Sequence, residues 1–214
     1  MSLLQNTMAK SGTANFYNGV ATQSLRFNDD DTANLSRTPS SASNQKLFTL
    51  SCWVKRGEIG AEGIIFSAGN TSTEFVQFYF ASSDILSYYK QRGGAGDTHY
   101  ITNAKFRDTS AWYHFVLMED AVNGVVKIYV NGVEQTYSLA TGPTNNNNKV
   151  NSTEVHLFGK RNYDSGRDFD GYLAEVNFLD GLLVGETDGY LDEFGELKNG
   201  VWIPKAYSGS YGTN

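Results

Sequence analysis

Apolar and polar residues alternate with a period of two along much of this 214-residue chain, whereas helical periodicity of any length is missing. Along residues 48–54, for example, Phe48, Leu50 and Cys52 would occupy one face of an extended strand. The chain is therefore predicted to fold almost entirely into β-strands. The predicted strands are residues 48–54, 64–66, 75–80, 85–89, 112–118, 125–130, 133–137, 155–158 and 172–178.

Short turn signals separate these strands and indicate how they pair. Asn131 and Gly132 form the dipeptide that most readily takes positive φ at both central positions of a type I′ turn. Residues 112–137 are thus predicted to form three successive antiparallel strands. By contrast, residues 91–98 (QRGGAGDT) are predicted to be a flexible loop, and the polar residues 145–149 (NNNNK) a surface loop.

Around nine short strands, with no helix to make parallel crossovers, are typical of an all-β, two-sheet antiparallel sandwich, and we expect jelly-roll topology. The length is enough for one domain of this kind. Residues 1–20 are predicted to be an attachment arm and residues 21–185 the sandwich. Residues 186–214 are predicted to hold a short helix at 189–197, followed by a tail that wraps the sandwich or leads to a partner.

Composition narrows the function classes. Lys and Arg total 17 against 23 Asp and Glu, a formal net charge of −6, so a groove for nucleic-acid phosphates is not expected. The single cysteine, Cys52, excludes an internal disulfide and a thiolate metal cluster, and it is predicted to be a small buried hydrophobic residue. The sequence has no apolar window of about 18 residues and no secretory signal. We therefore expect a soluble chain that is made in the cytoplasm and does not insert into a membrane.

Three segments of the chain follow one pattern in order and spacing. They are FTLSCWV at residues 48–54, WYHFV at 112–116 with VKIYVNG at 126–132, and FDGYLAEV at 169–176. This pattern resembles the laminin-G-like, concanavalin-A-like jelly-roll superfamily over roughly residues 23–184. The resemblance implies the sandwich fold. Because that fold hosts lectins, adhesion modules, glycosidases and structural spacers, the function stays open.

A second set of motifs extends over almost the whole chain. The set consists of SLRFN at residues 24–28, LSRTP at 35–39, WVKR at 53–56, GVWIP at 200–204 and YSGSYG at 207–212. Together these motifs are similar to virion structural proteins of tailed bacteriophages. The resemblance implies a non-enzymatic structural protein of a tail fibre or surface appendage, located in the virion after synthesis in the host cytoplasm. Its implied partners are other virion proteins, further copies of the chain and a host surface glycan. A capsid decoration or head-fibre protein and a glycoside hydrolase remain alternatives.

The hydrolase alternative depends on carboxylates in residues 175–180 (EVNFLD). Retaining glycosidases need two carboxyl groups about 5–5.5 Å apart, one as nucleophile and one as acid. In this run the central residue is Asn177 rather than an acid, and Asp180 is one residue out of step with the strand face of Glu175. We therefore expect no glycosidase activity.

Acids in a late loop suggest a calcium site, because laminin-G-like rims can hold calcium through Asp oxygens. The metal candidates are Asp164, Asp168 and Asp170, but Arg161 and Arg167 lie among them. Ion pairs and solvated loop acids are therefore favoured, and no cofactor is expected.

Lectin sites combine an aromatic ring, which covers the apolar face of a pyranose, with amides and acids that bond its hydroxyls. Two predicted loops carry this mixture. The candidate sugar-binding residues are Tyr88, Tyr89, Arg92 and Tyr100 around the glycine-rich loop and Asn162, Tyr163 and Asp164 in the loop of the metal candidates. No nucleophile motif accompanies them, and His114 is interpreted as a packed strand residue rather than a catalyst.

Aromatic residues outside the strand pattern lie near both ends of the chain. These residues are Phe16, Tyr17, Trp202, Tyr207 and Tyr211. Exposed rings on a monomer would favour aggregation, so they need to be covered by the sandwich itself or by neighbouring subunits. We predict that at least part of them form assembly contacts between copies of the chain.

Overall fold

The computed structural model describes residues 18–186 and 189–213, and the regular structure in these residues consists of β-strands. The assembly contacts predicted for Phe16 and Tyr17 lie outside the described residues, as does most of the predicted arm. The strands are β1 (Leu25–Phe27), β2 (Leu35–Arg37), β3 (Leu47–Arg56), β4 (Gly63–Thr71), β5 (Glu74–Phe80), β6 (Ile85–Arg92), β7 (Ala95–Lys105), β8 (Tyr113–Asp120), β9 (Val125–Val130), β10 (Val133–Glu134), β11 (Tyr137–Thr141), β12 (His156–Phe158), β13 (Gly171–Asp180), β14 (Gly195–Lys198) and β15 (Val201–Pro204).

The strands form two large antiparallel sheets that pack face to face. A six-stranded sheet has the order β1-β13-β3-β8-β9-β10, and a seven-stranded sheet has the order β11-β7-β6-β5-β4-β12-β2. A further two-stranded sheet pairs β14 with β15. The predicted all-β antiparallel sandwich is thus confirmed. None of the elements in the described part of the chain is an apolar helix long enough to span a lipid bilayer.

The predicted type I′ turn between β9 and β10 is present. Asn131 has a φ of 50° and Gly132 a φ of 80°, and the two strands pair across the turn. The strand predicted at residues 133–137 nevertheless breaks, because β11 pairs with β7 in the other sheet. The chain changes sheets where Tyr137 packs edge-on against Tyr100, with ring centroids 5.0 Å apart.

The glycine-rich residues 91–98 are not the flexible loop that was predicted, but a tight hairpin between β6 and β7. Gly93 and Gly94 have φ values of 58° and 82°, which glycine adopts without strain. Two-residue turns with positive φ match the twist of antiparallel strands, so both strands stay paired up to the turn. The period-two alternation of apolar and polar residues did not predict β7, because the strand begins with small and short polar residues (AGDT).

The hydrophobic core lies between the two large sheets and is rich in phenylalanine. Phe78 and Phe115, from opposite sheets, meet edge to face with ring centroids 6.4 Å apart. Cys52 is buried in this core beside Leu50, as its strand face predicted. Burial raises the pKa of the Cys52 thiol to about 12, so the thiol is inert at neutral pH.

The C-terminal segment covers the outer face of the six-stranded sheet. Leu191 and Phe194 are buried there against Val116 and Tyr129. The helix predicted at residues 189–197 is wrong, because this segment is bent and extended and leads into β14. A helix this short gains too little stability from its own hydrogen bonds, whereas the pairing of β14 with β15 gives the main-chain N–H and C=O groups hydrogen-bond partners.

Trp202 on β15 is covered by the sandwich of its own chain. It is 8% exposed and packs in a cluster with Trp53 and Ala174. The prediction that Trp202 contacts a neighbouring subunit is therefore wrong. Tyr207 is half-buried and Tyr211 is 48% exposed, so for these two residues the assembly role stays a prediction.

His114 on β8 is the polar centre of the cluster around Trp202. The indole N–H of Trp202 donates to Nδ1 of His114 at 3.1 Å, so the imidazole proton lies on Nε2, which donates to Ser51 Oγ at 2.9 Å. Trp53 stacks on the imidazole, with ring centroids 5.0 Å apart. The interpretation of His114 as a packed strand residue is confirmed. Burial lowers the pKa of the imidazole to about 3.

Mild acidification is expected to destabilise the fold through His114. Its folded-state pKa of about 3 lies below the ordinary value of 6.5. The neutral ring therefore contributes fully above pH 6.5, and this stability is lost as the pH falls from 6.5 toward 3. At about 1.4 kcal/mol per pH unit, the free energy of unfolding should drop by about 2 kcal/mol between pH 6.5 and 5. Urea unfolding at neutral and mildly acidic pH measures this change.

The matched control is His114→Gln, whose amide can still accept from Trp202 but cannot gain a proton. Its stability should depend less on pH than that of the wild type. His99 and His156, whose pKa values burial also lowers, are present in both proteins and cancel in the comparison. Equal pH dependence of the two proteins would show that His114 does not carry the effect.

Candidate functional site

The tyrosines predicted to bind sugar lie on opposite faces of the seven-stranded sheet. On β6, Tyr88 points between the sheets and is fully buried, whereas Tyr89 lies on the outer face and is half-buried. Tyr100 on β7 is also buried, and its hydroxyl donates to the Gly142 carbonyl at 3.0 Å. Burial excludes stacking of the Tyr88 and Tyr100 rings on a sugar, so these two predictions are wrong.

Four aromatic side chains form a continuous row across the outer face of the seven-stranded sheet, which we call the aromatic surface. In order along the row, they are His99, Tyr89, Phe75 and Tyr163. Successive ring centroids lie 4.9, 5.7 and 4.6 Å apart. Tyr89 and Tyr163, predicted from two separate segments, are thus brought together by the buried ring of Phe75. Both tyrosines are half-buried and keep part of their rings exposed.

The loop that carries Tyr163 is held in place by Arg161. The Arg161 side chain is 5% exposed, forms an ion pair with Asp164, and donates to Gln77 Oε1 at 3.0 Å. Its guanidinium lies 4.5 Å from the centroid of the Tyr163 ring. The Asp164 carboxylate is thereby bound to Arg161 and positions the loop. Asn162, predicted with it, is exposed beside the aromatic surface.

The other two metal candidates do not converge with Asp164. Asp170 forms an ion pair with Arg26 on β1. Asp168 is half-buried, and burial raises the pKa of its carboxyl. No group of three His, Cys, Asp or Glu side chains suited to a metal ion occurs in the described ranges. The expected ion pairs are present for two of the three acids, although the arginine bound to Asp170 comes from outside the loop.

A polar pocket of about 220 Å³ opens where β5 begins and β6 ends. It is lined by four amide side chains, three cations and one carboxylate, and we call it the amide pocket. Its lining residues are Gln45, Gln91, Asn147, Asn148, Lys90, Arg92, Lys149 and Glu74. An amide offers both donors and an acceptor, which is the combination that sugar hydroxyls require. Arg92 is the sugar-binding candidate that lines this pocket.

A buried charged network forms the floor of the amide pocket. The Lys90 ammonium lies 2.8 Å from Glu119 Oε1 and 2.9 Å from Asp97 Oδ2. Glu119 also accepts hydrogen bonds from the Tyr88 hydroxyl and, at 3.2 Å, from the Asn148 amide. Burial and the neighbouring Glu119 charge raise the pKa of Tyr88 well above its ordinary value. Tyr88 therefore serves the site as a hydroxyl donor beneath the pocket.

The charges around the amide pocket largely compensate one another. Burial alone would raise the pKa of Asp97, but hydrogen bonds from a threonine hydroxyl and from Lys90 lower it to about 2. Lys90 thus faces two carboxylates, and Lys149 lies 2.7 Å from Glu74. Arg92 is exposed at the rim.

Gln91 joins the amide pocket to the aromatic surface. Its Oε1 accepts from the Tyr89 hydroxyl at 3.3 Å, and its Nε2 donates to the Ser72 carbonyl at 3.1 Å. Gln91 therefore lines the pocket and positions a ring of the aromatic surface at the same time. The two surfaces form one continuous candidate site.

Sequence reasoning missed most of the amide pocket. Residues 145–149 were predicted to be a surface loop with nothing to bury, yet Asn148 is buried and bonded to Glu119. The run of asparagines is the signal that could have revealed it, since an amide in a loop can satisfy a buried carboxylate as readily as it can face water.

The carboxylates considered for glycoside hydrolysis do not form a pair. Glu175 has a φ of 46° and lies in a bulge, where the pairing of β13 with β3 shifts between Ala174 and Asn177. Asp180 is 2% exposed and lies on the inner face of its sheet. A carboxylate buried on that face cannot contact a sugar together with Glu175. Glycoside hydrolysis is therefore not favoured.

A family model described as the concanavalin A-like lectin/glucanases superfamily matches residues 10–187. The chain belongs to this superfamily. The laminin-G-like, concanavalin-A-like resemblance drawn from the sequence is thus confirmed, and the fold of this superfamily member is that of lectin-like carbohydrate-binding domains. A search of curated protein sequences finds no match.

Solved structures share the fold of this superfamily member at low sequence identity. The heptameric SAP-like pentraxin from Limulus polyphemus is 16% identical, with a TM-score of 0.52, over 77% of this chain and 75% of that chain. Domains LG4-5 of the mouse laminin alpha1 chain are 11% identical, with a TM-score of 0.51, over 74% and 41%. The chain thus spans less than half of that laminin fragment. The CBM40 of the Ruminococcus gnavus IT-sialidase is 14% identical, with a TM-score of 0.50, over 72% and 94%.

Proposed function

We propose that this domain is a non-enzymatic carbohydrate-binding protein whose candidate site binds a neutral sugar. The observation that carries the proposal is the continuity of the amide pocket with the aromatic surface through Gln91. Amides supply donors and acceptors for hydroxyls, and the exposed part of the Tyr89 ring supplies an apolar surface for a pyranose face.

The size of the amide pocket favours a single sugar ring inside it. Its volume of about 220 Å³ is below the range of about 300–1,000 Å³ that is usual for pockets holding drug-sized ligands. Further rings of a longer glycan would extend along the aromatic surface toward Tyr163. The compensated charges of Lys90 and Lys149 favour a neutral sugar over an acidic one.

Replacing Gln45 and Asn147 together with alanine is expected to weaken sugar binding. Both side chains line the amide pocket, Gln45 half-buried and Asn147 exposed, so the fold should tolerate their loss. Two lost hydrogen bonds at about 0.5–1.5 kcal/mol each correspond to a drop in affinity of between about 5-fold and about 150-fold. A glycan array probed with a multivalent form of the protein identifies the ligand, and calorimetry then measures Kd.

The matched control is Asn123→Ala, which removes an exposed amide from the β8–β9 turn of the other sheet. It should leave Kd unchanged. Absence of binding to every neutral glycan in multivalent form would contradict the proposed function. If a glycan bound the double variant with the same Kd as the wild type, its binding site would lie outside the amide pocket.

We infer further that this domain belongs to a fibre or surface appendage of a tailed-phage virion, where it meets host surface glycans, other virion proteins and copies of itself. The sequence motifs at residues 24–28, 35–39, 53–56, 200–204 and 207–212 support this inference. The exposed ring of Tyr211, in the last of these motifs, is available for such contacts.

Quantitative mass spectrometry of purified virions tests the appendage role. A fibre or appendage protein should be present at a small fraction of the copy number of the major capsid protein. A copy number that approaches the capsid protein would favour the decoration alternative. Absence of the chain from intact particles would contradict a structural role in the virion.

A further inference from the structure

A pocket of about 270 Å³ lies at the edge of the sandwich where β2 is the last strand of the seven-stranded sheet. We call it the edge pocket. Its apolar lining comes from both large sheets and from the segment after β2, and consists of Leu35, Pro39, Phe66, Phe158 and Phe178. The edge pocket shares no lining residue with the amide pocket, so the proposed sugar site does not use it.

Phenylalanine rings from the two sheets form the inner wall of the edge pocket. Phe66 on β4 packs against Phe158 on β12 and Phe178 on β13, with ring centroids 5.1 and 5.9 Å away. Phe66 is buried, whereas Phe158 and Phe178 are half-buried and keep part of their rings accessible. An apolar ligand would therefore find at this wall the ring contacts that stabilise the core itself.

The imidazole of His156 adds a neutral ring to the lining of the edge pocket. Its Nε2 accepts from the Asn151 N–H at 3.0 Å, and its Nδ1 donates to the Glu154 carbonyl at 2.9 Å. Burial lowers the pKa of this imidazole, and the nearby charge of Arg37 lowers it further. Because both ring nitrogens are occupied, His156 supplies ring surface to a ligand rather than charge.

Arg37 on β2 is the one cation among the described residues that line the edge pocket, and it is exposed. None of the ion pairs in the described part of the chain includes it. Residues 1–17 contain neither Asp nor Glu, so they cannot supply a carboxylate side chain to this guanidinium. Asp188 is also outside the described part, but its neighbour Glu186 contacts Lys127 on β9, in the other sheet.

The volume and the lining of the edge pocket together define its ligand. An apolar cavity of about 150 Å³ can bind benzene, so about 270 Å³ suits a phenyl ring that carries a short alkyl chain. The planar fork of a guanidinium matches the two oxygens of a carboxylate. A phosphate monoester carries more than one charge, and the described lining has no second cation to compensate it.

We propose that the edge pocket binds a small carboxylic acid with an apolar body, such as a phenyl ring on a short alkyl chain. The body lies against the phenylalanine wall, and the carboxylate lies at the exposed rim, where it pairs with Arg37.

The test titrates the full chain, with residues 1–17 present, against hydrocinnamate. Ligand-observed NMR should give a Kd of about 1 mM or tighter for an apolar acid of this size. Hydrocinnamamide, which keeps the phenyl ring and chain but lacks the charge, should bind about fivefold more weakly. Acetate, which keeps the charge but lacks the apolar body, should show no measurable binding.

Arg37→Gln should raise the Kd of hydrocinnamate about fivefold and leave that of hydrocinnamamide unchanged, because only the acid interacts with the lost charge. The matched control, Lys198→Gln, removes an exposed cation from β14 and should leave both values unchanged. The proposal is overturned if the full chain does not bind hydrocinnamate, or if the amide binds as tightly as the acid. It is also overturned if Arg37→Gln leaves the Kd of the acid unchanged, or if acetate binds as tightly as hydrocinnamate.

Discussion

Replacing Trp202 with alanine is expected to lower the free energy of unfolding by about 3–5 kcal/mol, the usual cost of truncating a buried tryptophan. The indole packs in a cluster with Trp53 and Ala174, and its N–H donates to His114 at 3.1 Å. Gly132 and Gly195 leave it room, because a side chain at either position would overlap its ring. In a chain of this size the loss corresponds to a Tm decrease of about 10 °C or more. Differential scanning calorimetry measures the effect.

Leu197→Ala is the matched control for Trp202→Ala, because Leu197 is the register partner of Trp202 on the same hairpin but is 52% exposed. It should change stability by about 0.5 kcal/mol or less. Trp202→Ala with wild-type stability but a smaller sedimentation mass would reverse the assignment, since Trp202 would then act between subunits after all.

Glu119→Leu is expected to cost about 3–5 kcal/mol, because it removes one partner of a buried ion pair. Lys90 would keep only Asp97, the Tyr88 hydroxyl would lose its acceptor, and the Asn148 amide would keep only the Tyr88 hydroxyl as acceptor. Chemical denaturation measures the loss. Adding Lys90→Met should restore part of it, because the two residues interact directly and their effects are not additive.

Glu134→Gln serves as the control for Glu119→Leu. The Glu134 carboxylate is 3.0 Å from the Lys127 ammonium, but both side chains are well exposed, so the change should cost about 1 kcal/mol or less. A similarly small loss for Glu119→Leu would mean that water replaces the missing carboxylate and that the floor of the amide pocket is open to solvent.

Alternation of residue types predicted most of the fold because each strand of a sandwich buries one face against the other sheet. Residues 48–54 show the limit of this rule. The face of Phe48 and Leu50 is buried as predicted, but Trp53 on the opposite face is buried as well. Its cover, Trp202, lies far along the chain in a segment without strand periodicity. A local pattern cannot show that a distant segment forms a third layer.

The candidate site was predicted in part for the same reason. Tyr89 and Tyr163 were found because aromatic rings beside loop amides are a recognisable combination. Tyr88 was misplaced by one step of alternation, which moves a side chain to the opposite face of its sheet. The burial of Asn148 was not predicted, because this loop residue is buried by its hydrogen bond to Glu119, which lies on the distant strand β8. Such a need for a hydrogen-bond donor is visible only once the chain is folded.

The C-terminal residues form a third layer over the six-stranded sheet. Because of this layer, the two broad faces of the domain differ in what they can expose to a partner. One broad face is closed by the residues around Leu191, Phe194 and Trp202, whereas the other keeps the aromatic surface open. A partner that must leave the open face free would therefore have to approach over the C-terminal layer or along the sheet edges. In a repeated array this geometry would point every binding site in one direction, so that the array could engage a flat surface cooperatively.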